Sequence, residues 1–388
     1  MSRQKKKSAA VPVVIVIAVL LTALGGFSLW YALMGAPNAR KDAETTRLAE
    51  YQEQVEEIDR QNALNMEEYQ QALYLAEHPP EEKPLNPAWP DHKQEGWDIV
   101  DLSDYPLDNP TAETKSRAEL MTNGLLLLNQ WHSRPEDFDD SGVVSIGRYL
   151  GGNDVVQVDN YNISLFKNAA DALKEVITAA KAEGMEHYIV TEGYRSWDKQ
   201  NEMFQNKKKQ LASKYKTEEA LVQATMKEVN YPGTSDFNSG LSFTLRLYSK
   251  DDAEVGAKKY STTEQAAWMN ENCWKYGIVF RFPQADWPLP STQDKSFKTG
   301  VSSKLNLYRY VGKGNSDIMH YLDLCLEEYI DYMHDHQHIA LFVDGVLKYE
   351  IYCQYVGEDS SINVLLTRSK SHFSSLDNMG FVITVFEH

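Results

Sequence analysis

The longest hydrophobic stretch of the chain lies close to its N-terminus. Residues 11–34 carry no charged side chain and would span about 36 Å as an α-helix, enough to cross a bilayer with some tilt. Four basic side chains within residues 3–7 precede this stretch, and Trp30 and Tyr31 lie near its far end. The pattern predicts a transmembrane helix over 11–34, a cytoplasmic tail over 1–10 and an extracytoplasmic remainder. The run is longer than the apolar core of a typical signal peptide, which favours a retained anchor.

A charged segment whose apolar residues recur at helical spacing follows the hydrophobic run. Residues 40–78 contain neither glycine nor proline, and Leu48, Tyr51, Val55 and Ile58 have the spacing of a coiled-coil seam. The segment is therefore predicted to be a stalk helix. It is either a solvated spacer, or a contact surface for a parallel homodimer or a membrane partner, and two or three heptads leave these alternatives open. Residues 79–111 contain seven prolines and are predicted to be a linker.

Helical and strand-like patterns alternate along the rest of the chain. Residues 164–184 have apolar side chains on one face of a helix, and residues 187–192 read as the strand that follows. A second helix–strand pair is predicted at 268–282, and a further helix at 318–333. After His334 the apolar residues alternate with period 2, and Asp344-Gly345 marks a hairpin. These patterns predict an α+β domain over 112–335 and a small β appendage over 336–388.

Charge and cysteine content narrow the classes of function. The formal net charge of −17 argues against nucleic-acid binding, because no cluster of basic residues could follow a phosphate backbone. The three cysteines are an odd number and match no zinc-cysteine spacing. They are expected to be buried, unpaired side chains.

Several segments, in this order, resemble the zinc D-alanyl-D-alanine carboxypeptidases of the VanY type. The resemblance covers roughly residues 115–335, and it implies a D-alanyl-D-alanine carboxypeptidase/hedgehog-like α+β fold in which a small antiparallel sheet, flanked by helices, carries the site. It also implies action on peptidoglycan stem peptides. The matching segments are GLLLLNQWHSRPEDF (124–138), EGYRSWDKQ (192–200), YPGTSDFNSGLSFTL (231–245), WMNENCWKYGIVFRFP (268–283), KLNLYRYVG (304–312) and DLCLEEYI (323–330).

The chain departs from this family where the chemistry takes place. The resemblance places the three zinc ligands at Phe237, Thr244 and Leu307, and the general base at Lys304. Phenylalanine and leucine offer no lone pair, a threonine hydroxyl is a poor ligand, and lysine is a cation where a carboxylate is required. No histidine occurs between Tyr188 and Met319, so no shift of the alignment restores one. The zinc site is predicted to be lost, and no cofactor is expected.

The substrate-binding half of the family's site is still present in the sequence. Arg195, Gln200 and Ser235 match the residues with which the family holds the terminal D-alanine and its carboxylate. A guanidinium with neutral donors is a suitable carboxylate clamp. The alternative is structural: Arg195 would hold its own turn through local carbonyls or Asp198, and Ser235 would cap a turn. Tyr308, Arg309 and Tyr310 match a family strand and are predicted to serve packing.

The sequence contains one further candidate metal site, at His334, His336 and His338. On an extended segment these alternate residues would project to one face and could converge on a metal ion. An exposed polar linker is the favoured interpretation, because the residues lie beyond the last family segment.

Three functions follow from this reading. The first is an inactive, membrane-anchored carboxypeptidase-like protein on the outer face of a bacterial cytoplasmic membrane, which binds peptidoglycan stem peptides or a cell-wall or division protein. The second is an active metallo-carboxypeptidase with a non-standard metal site. The third is a structural scaffold that assembles through residues 40–78.

Overall fold

The computed structural model describes residues 95–388, together with the isolated Thr22 and Arg60. The predicted transmembrane helix (11–34), the stalk helix (40–78) and the first part of the predicted linker lie outside this region, so these remain predictions. Within the described region, no helix has both the length and the apolar character needed to cross a membrane.

Residues 95–388 contain strands and helices in mixed order. The strands are Trp97–Asp101 (β1), Thr111–Ser116 (β2), Val143–Ser145 (β3), Gln157–Val158 (β4), Ser164–Phe166 (β5), Tyr188–Glu192 (β6), Ser242–Leu247 (β7), Ile278–Phe280 (β8), Leu307–Tyr310 (β9), His338–Val343 (β10), Val346–Tyr355 (β11), Ser361–Leu366 (β12), Ser371–Leu376 (β13) and Phe381–Glu387 (β14). The α-helices are Arg117–Met121 (α1), Ile146–Tyr149 (α2), Lys167–Ala182 (α3), Trp197–Leu211 (α4), Glu218–Met226 (α5), Ala253–Ala257 (α6), Glu264–Asn272 (α7), Ser296–Thr299 (α8), Asn315–Tyr321 (α9) and Leu326–His336 (α10).

A five-stranded sheet in the order β4-β6-β7-β9-β8 forms the centre of the domain. β4 is parallel to β6, and the other neighbours are antiparallel. Helix α3 contributes the face predicted from its apolar spacing, with Leu173, Val176 and Ala180 buried in the main core. Burying a leucine or valine side chain stabilises the fold by about 1.5–3 kcal/mol. The predicted helix starts three residues too early, because Ser164–Phe166 instead pairs with β3 as a strand.

The second large sheet has the order β1-β10-β11-β14-β13 and is antiparallel throughout. The predicted Asp344-Gly345 hairpin joins β10 to β11, and both turn residues have positive φ (51° and 75°), as a type I′ turn requires. Helix α10 buries Tyr329, Ile330 and Met333 in the core against this sheet.

The structure differs from the sequence-based division at both ends of the domain. β1 lies inside the predicted linker 79–111, yet it pairs over its whole length with β10. The predicted appendage 336–388 also supplies β12, which pairs with β2 at the start of the domain. Because these strands pair with distant segments, the C-terminal β region is built into the same fold and is not an independent addition.

The helix predicted over 318–333 is interrupted. Asp323 has a positive φ of 53°, and Leu324 donates its backbone N–H to the carbonyl of Met319, which ends α9. The chain restarts as α10 with Cys325 as the N-cap residue. Cys325 is buried, as are Cys273 and Cys353, and none forms a disulfide, which confirms the expectation for all three cysteines.

Candidate functional site

A cavity of about 200 Å³ lies where the loop after α5, the loop after α8 and the first residues of β9 meet. Ser235, Phe237, Lys304 and Leu307 all line it. Ser235 is one of the three predicted clamp residues. Phe237, Lys304 and Leu307 are three of the four positions where the family places its zinc ligands and its general base. The fold therefore brings the separated sequence motifs to one place.

The three positions matched to zinc ligands converge in space. Thr244 on β7 lies opposite Leu307 on β9 in the antiparallel register. Phe237 and Leu307, only 2% and 1% exposed, pack with Phe282 in a small hydrophobic cluster separate from the two main cores. The hydroxyl of Thr244 lies 2.8 Å from that of Thr191, within hydrogen-bond distance.

These side chains do not fit a catalytic zinc ion. A hydrolytic zinc needs three nitrogen, oxygen or sulfur ligands and an open position for water. Phe237 and Leu307 offer only carbon, and they fill the space with apolar contacts. Within residues 95–388 and the two isolated described positions, no group of three or more His, Cys, Asp or Glu side chains is arranged to hold a metal ion.

Lys304, at the general-base position, is a largely buried cation. Its Nζ lies 4.8 Å from the centroid of the Phe237 ring. Burial lowers the pKa of Lys304, and the charge of Arg195 lowers it further, while Glu192 and Asp236 act in the opposite direction. A lysine cannot accept a proton from water while it is charged, so Lys304 does not reproduce a carboxylate base.

The predicted clamp residues divide between the cavity and the protein interior. Ser235 lines the cavity, whereas Arg195 and Gln200 are not among its lining residues. Arg195 Nη1 donates to Gln200 Oε1 at 2.8 Å, and its Nη2 lies 3.5 Å from the carboxylate of Glu192. Gln200 is fully buried and donates to the carbonyl of Asn230. Arg195 thus holds its turn through Gln200 and Glu192, not through Asp198, and its Cζ lies 4.8 Å from the Phe237 ring centroid.

A buried charge network underlies the cavity. Asp236 receives hydrogen bonds from Arg281 (3.0 Å), Arg309 (2.9 Å) and Ser242. Burial alone would raise the pKa of Asp236, but the charges of Arg309 and Arg281 outweigh it and hold the pKa below its usual value. Arg281 also forms a bidentate pair with Glu327 of α10, at 2.9 and 2.7 Å. The network ties the motif segment at 236 to the central sheet and to α10.

Sequence reasoning missed most of this network. It treated Arg309 as a packing residue, and the structure buries Arg309 completely, with its Nη2 donating to the carbonyls of Gly124 and Leu126. Arg281 and Glu327 were not singled out. The available signal was Arg281 inside the apolar run VFRF, since charged residues are rarely fully buried unless they are paired. The signal at Glu327 was weaker, because a second glutamate follows it.

The histidine run does not form a metal site, nor is it an exposed linker. His334 and His336 belong to the last turn of α10, and His338 is a buried residue of β10. Each of the three imidazole rings contacts a different carboxylate, because α10 ends between His336 and His338. These contacts are His334 with Asp377 (2.7 Å), His336 with Asp101 (2.8 Å) and His338 with Glu350 (2.8 Å).

The mixed sheet, the flanking helices and the cavity can be compared with those of known protein families. The family profile described as VanY, D-alanyl-D-alanine carboxypeptidase, matches residues 162–311. YodJ of Bacillus subtilis is named provisionally as a carboxypeptidase. It is 31% identical to this chain over 209 residues, and the match covers 54% of this chain and 67% of YodJ. The chain belongs to the VanY-type D-alanyl-D-alanine carboxypeptidase family.

Two further comparisons agree with this assignment. A D-alanyl-D-alanine carboxypeptidase of Enterococcus faecium is 28% identical over 282 residues, covering 72% of this chain and 80% of that protein. The crystal structure of the vancomycin resistance D,D-dipeptidase VanXYg, in complex with a D-Ala-D-Ala phosphinate analogue, matches with a TM-score of 0.51 at 21% identity. That match covers 72% of this chain and all of the other, and it supports the mixed helix-and-sheet fold predicted from the sequence.

Proposed function

We propose that this protein is a catalytically inactive member of its family, and that it binds peptidoglycan stem peptides without cleaving them. The observation that carries the proposal is the packing of Phe237 against Leu307 at two positions where the family places zinc ligands. A third ligand position is Thr244, engaged with Thr191. The general-base position is the cation Lys304.

The binding half of the proposal is supported by the cavity beside these residues. The cavity has a volume of about 200 Å³, and Ser235 lies on its wall. The apolar side chains of Phe237 and Leu307 therefore leave the cleft open. The turn that contains Arg195 has the family's residues. Arg195 Cζ lies 4.8 Å from the centroid of the Phe237 ring, so the guanidinium is near the cleft. A family fold with an open cleft and no metal ligands is suited to recognition more than to hydrolysis.

The cellular location in this proposal comes from the sequence alone. The hydrophobic run 11–34, with basic residues before it, would anchor the domain to a bacterial cytoplasmic membrane and hold it on the side of the wall. Fractionation of cells that produce the full chain, followed by external protease treatment, would test this. Release of the chain by alkaline carbonate, or its protection from external protease, would contradict the anchored orientation.

The function is tested by incubating the purified full chain with a pentapeptide ending in D-Ala-D-Ala, with added zinc and separately with a chelator. We expect no release of D-alanine in either condition, no stoichiometric zinc by elemental analysis, and saturable binding of the peptide by calorimetry. The Enterococcus faecium relative would serve as the active control. Chelator-sensitive release of D-alanine would refute the inactive assignment, and absence of peptide binding would refute the recognition role.

A further inference from the structure

Lys304 is a partly buried cation with unused bonding capacity. Throughout the part of the chain that the structure describes, its ammonium has no hydrogen bond and no carboxylate at ion-pair distance, and its one close partner is the Phe237 ring. Cations that are more completely buried than Lys304 are paired: Arg281 and Arg309 share Asp236, and Lys295 lies 2.8 Å from Glu328. A buried charge without a counter-charge costs free energy, so the site favours any anion that can reach it.

The cavity gives an anion a route to Lys304. Lys304 lines it, and so do neutral donors: the hydroxyls of Ser235, Ser302 and Ser303 and the amide of Gln130. Two carboxylates on the cavity wall are already neutralised, because Asp236 is held by two arginines and Glu228 is paired with Lys207. Among the described residues, the wall therefore presents two lysines without an ion pair, the partly buried Lys304 and the exposed Lys227, together with neutral hydrogen-bond donors.

A second cation strengthens the local field. Arg195 contacts the same Phe237 ring as Lys304, each at 4.8 Å from the centroid. Of the two, Arg195 has the carboxylate of Glu192 at 3.5 Å, whereas Lys304 feels Glu192 and Asp236 only from beyond ion-pair distance within the described region. The low pKa of Lys304 relative to an ordinary lysine agrees with burial beside another cation. An anion bound at Lys304 would offset both the burial of its charge and the repulsion from Arg195.

The size of the cavity limits the ligand. At about 200 Å³ it is smaller than the 300–1,000 Å³ typical of sites for drug-sized ligands, so it fits the end of a chain and not a whole muropeptide. Apolar wall residues, among them Phe237 and Leu307, suit a small aliphatic side chain. Of the two wall lysines only Lys304 is shielded from solvent, and its single charge matches a monoanion such as a carboxylate better than a phosphate group, which carries more charge.

We propose that Lys304 converts the former general-base position into a receptor for a chain-terminal carboxylate, so that the cleft binds the free C-terminus of a short peptide. The inference rests on the proposed non-catalytic function and names the group that is recognised. A charge-assisted hydrogen bond from the ammonium, with neutral donors around it, would orient the carboxylate. In an active enzyme of the family this position removes a proton from water; here it would hold the product-like end of the peptide.

The test compares diacetyl-L-Lys-D-Ala-D-Ala with its C-terminal amide, titrated into the full chain by calorimetry. We expect the acid to bind about 10- to 100-fold more tightly than the amide. Lys304→Met should remove that preference, and Lys304→Arg should retain part of it. Lys313→Met is the matched control, because Lys313 is an exposed lysine that does not line this cavity and pairs with Glu175 on the surface. This control should leave the preference intact.

The outcomes separate the two proposals. Equal binding of acid and amide, or a preference unchanged in Lys304→Met, overturns the carboxylate receptor and leaves non-catalytic peptide binding standing. Absence of binding by either peptide overturns both. The acid–amide comparison on the unaltered chain needs no variant, so a misfolded variant would not block the test. A third peptide ending in L-alanine identifies the source of the carboxylate: weaker binding than the D-alanine peptide supports a wall peptide, and equal binding supports recognition of any free C-terminus.

Discussion

Replacing Arg281 by methionine should destabilise the domain more than any change on its surface. In the protein, Asp236 and Glu327 contribute two negative charges to the buried network, and Arg281 and Arg309 contribute two positive ones. Arg281→Met leaves the three remaining side chains with a net negative charge. Glu327 then keeps only the amide of Asn129, at 3.1 Å, among its described hydrogen-bond partners.

The magnitude follows from the cost of leaving a buried charge unpaired. Breaking a buried ion pair by removing one partner costs about 3–5 kcal/mol, a large part of the roughly 5–15 kcal/mol that stabilises a typical domain. Each kcal/mol lowers the melting temperature of a protein of this size by about 2–4 °C, so a decrease of about 10 °C is expected. Urea and thermal unfolding of the full chain, followed by tryptophan fluorescence and circular dichroism, would measure both quantities.

A double variant distinguishes charge imbalance from loss of packing. Arg281→Met combined with Glu327→Met removes one charge of each sign and leaves the Asp236–Arg309 pair, which is 2.9 Å long. Replacing a buried pair by apolar side chains is often neutral, so the double variant should be more stable than the single one. It should still fall about 1–3 kcal/mol below the unaltered protein, because the Asn129 amide loses its acceptor.

Lys313→Met provides the surface control. Lys313 pairs with Glu175 at 3.0 Å, but both side chains are about half exposed, and such pairs contribute about 0–1 kcal/mol. If Arg281→Met costs no more than this control, or if the double variant is no more stable than the single one, the buried network does not stabilise the domain as described.

Three further predictions concern the former metal site, the C-terminal sheet and the thiols. Restoring the family's residues at all four positions should create a site for about one zinc per chain, measured by elemental analysis, and failure to bind zinc would mean that the backbone there no longer matches the family. The four substitutions are Phe237→His, Thr244→Asp, Lys304→Glu and Leu307→His. Glu350→Gln should destabilise the sheet by roughly 1–2 kcal/mol at pH 6 and by less at pH 8.5. Burial alone would lower the pKa of His338, but Glu350 raises it above 6.5, so the pair's contribution is complete below that pH and is lost as pH rises through the folded-state pKa. An equal loss at both pH values would contradict this. Finally, a thiol reagent at pH 8 should modify none of the three cysteines before unfolding and all three afterwards, since each is buried and burial raises the pKa of Cys273 to about 12. Rapid labelling of the folded chain would contradict it.

Local patterns predicted the local elements of this fold well. The apolar face of α3 and the Asp344-Gly345 hairpin were both visible in the sequence, because each depends on residues close together in the chain. Pairings between distant segments were not visible. Nothing in WDIVD shows that β1 will pair with β10, more than 230 residues later, and its proline-rich surroundings suggested a linker.

The predictions of one helix over 318–333 and of an exposed linker at the histidine run were wrong for related reasons. Periodicity continues from 318 to 333 as if one helix were present, and the reversal depends on a single positive φ at Asp323, a conformation that aspartate tolerates better than most residues. The histidines were interpreted as part of an extended segment, but α10 continues to His336. A helical conformation at the first two positions directs their rings toward separate carboxylates.

The candidate site contains residues that hold the fold beside positions that match the family's zinc ligands. The residue next to the first former ligand, Asp236, makes no use of zinc: it joins Arg281 and Arg309 in a network that holds the sheet and α10 together. Arg309 lies two residues after the last former ligand, Leu307, and is held just as firmly. The motif segments therefore contain two kinds of residue, those at positions matched to the family's zinc ligands and those that hold the fold. At the first kind of position, Phe237 and Leu307 contribute buried apolar surface, and burying such a side chain instead of leaving it exposed stabilises a domain by about 1.5–3 kcal/mol. The second kind cannot change without leaving a buried charge unpaired. Under the proposed loss of the metal site, this difference in cost would account for the order and spacing of the family's segments, which are recognisable although the four matched positions differ.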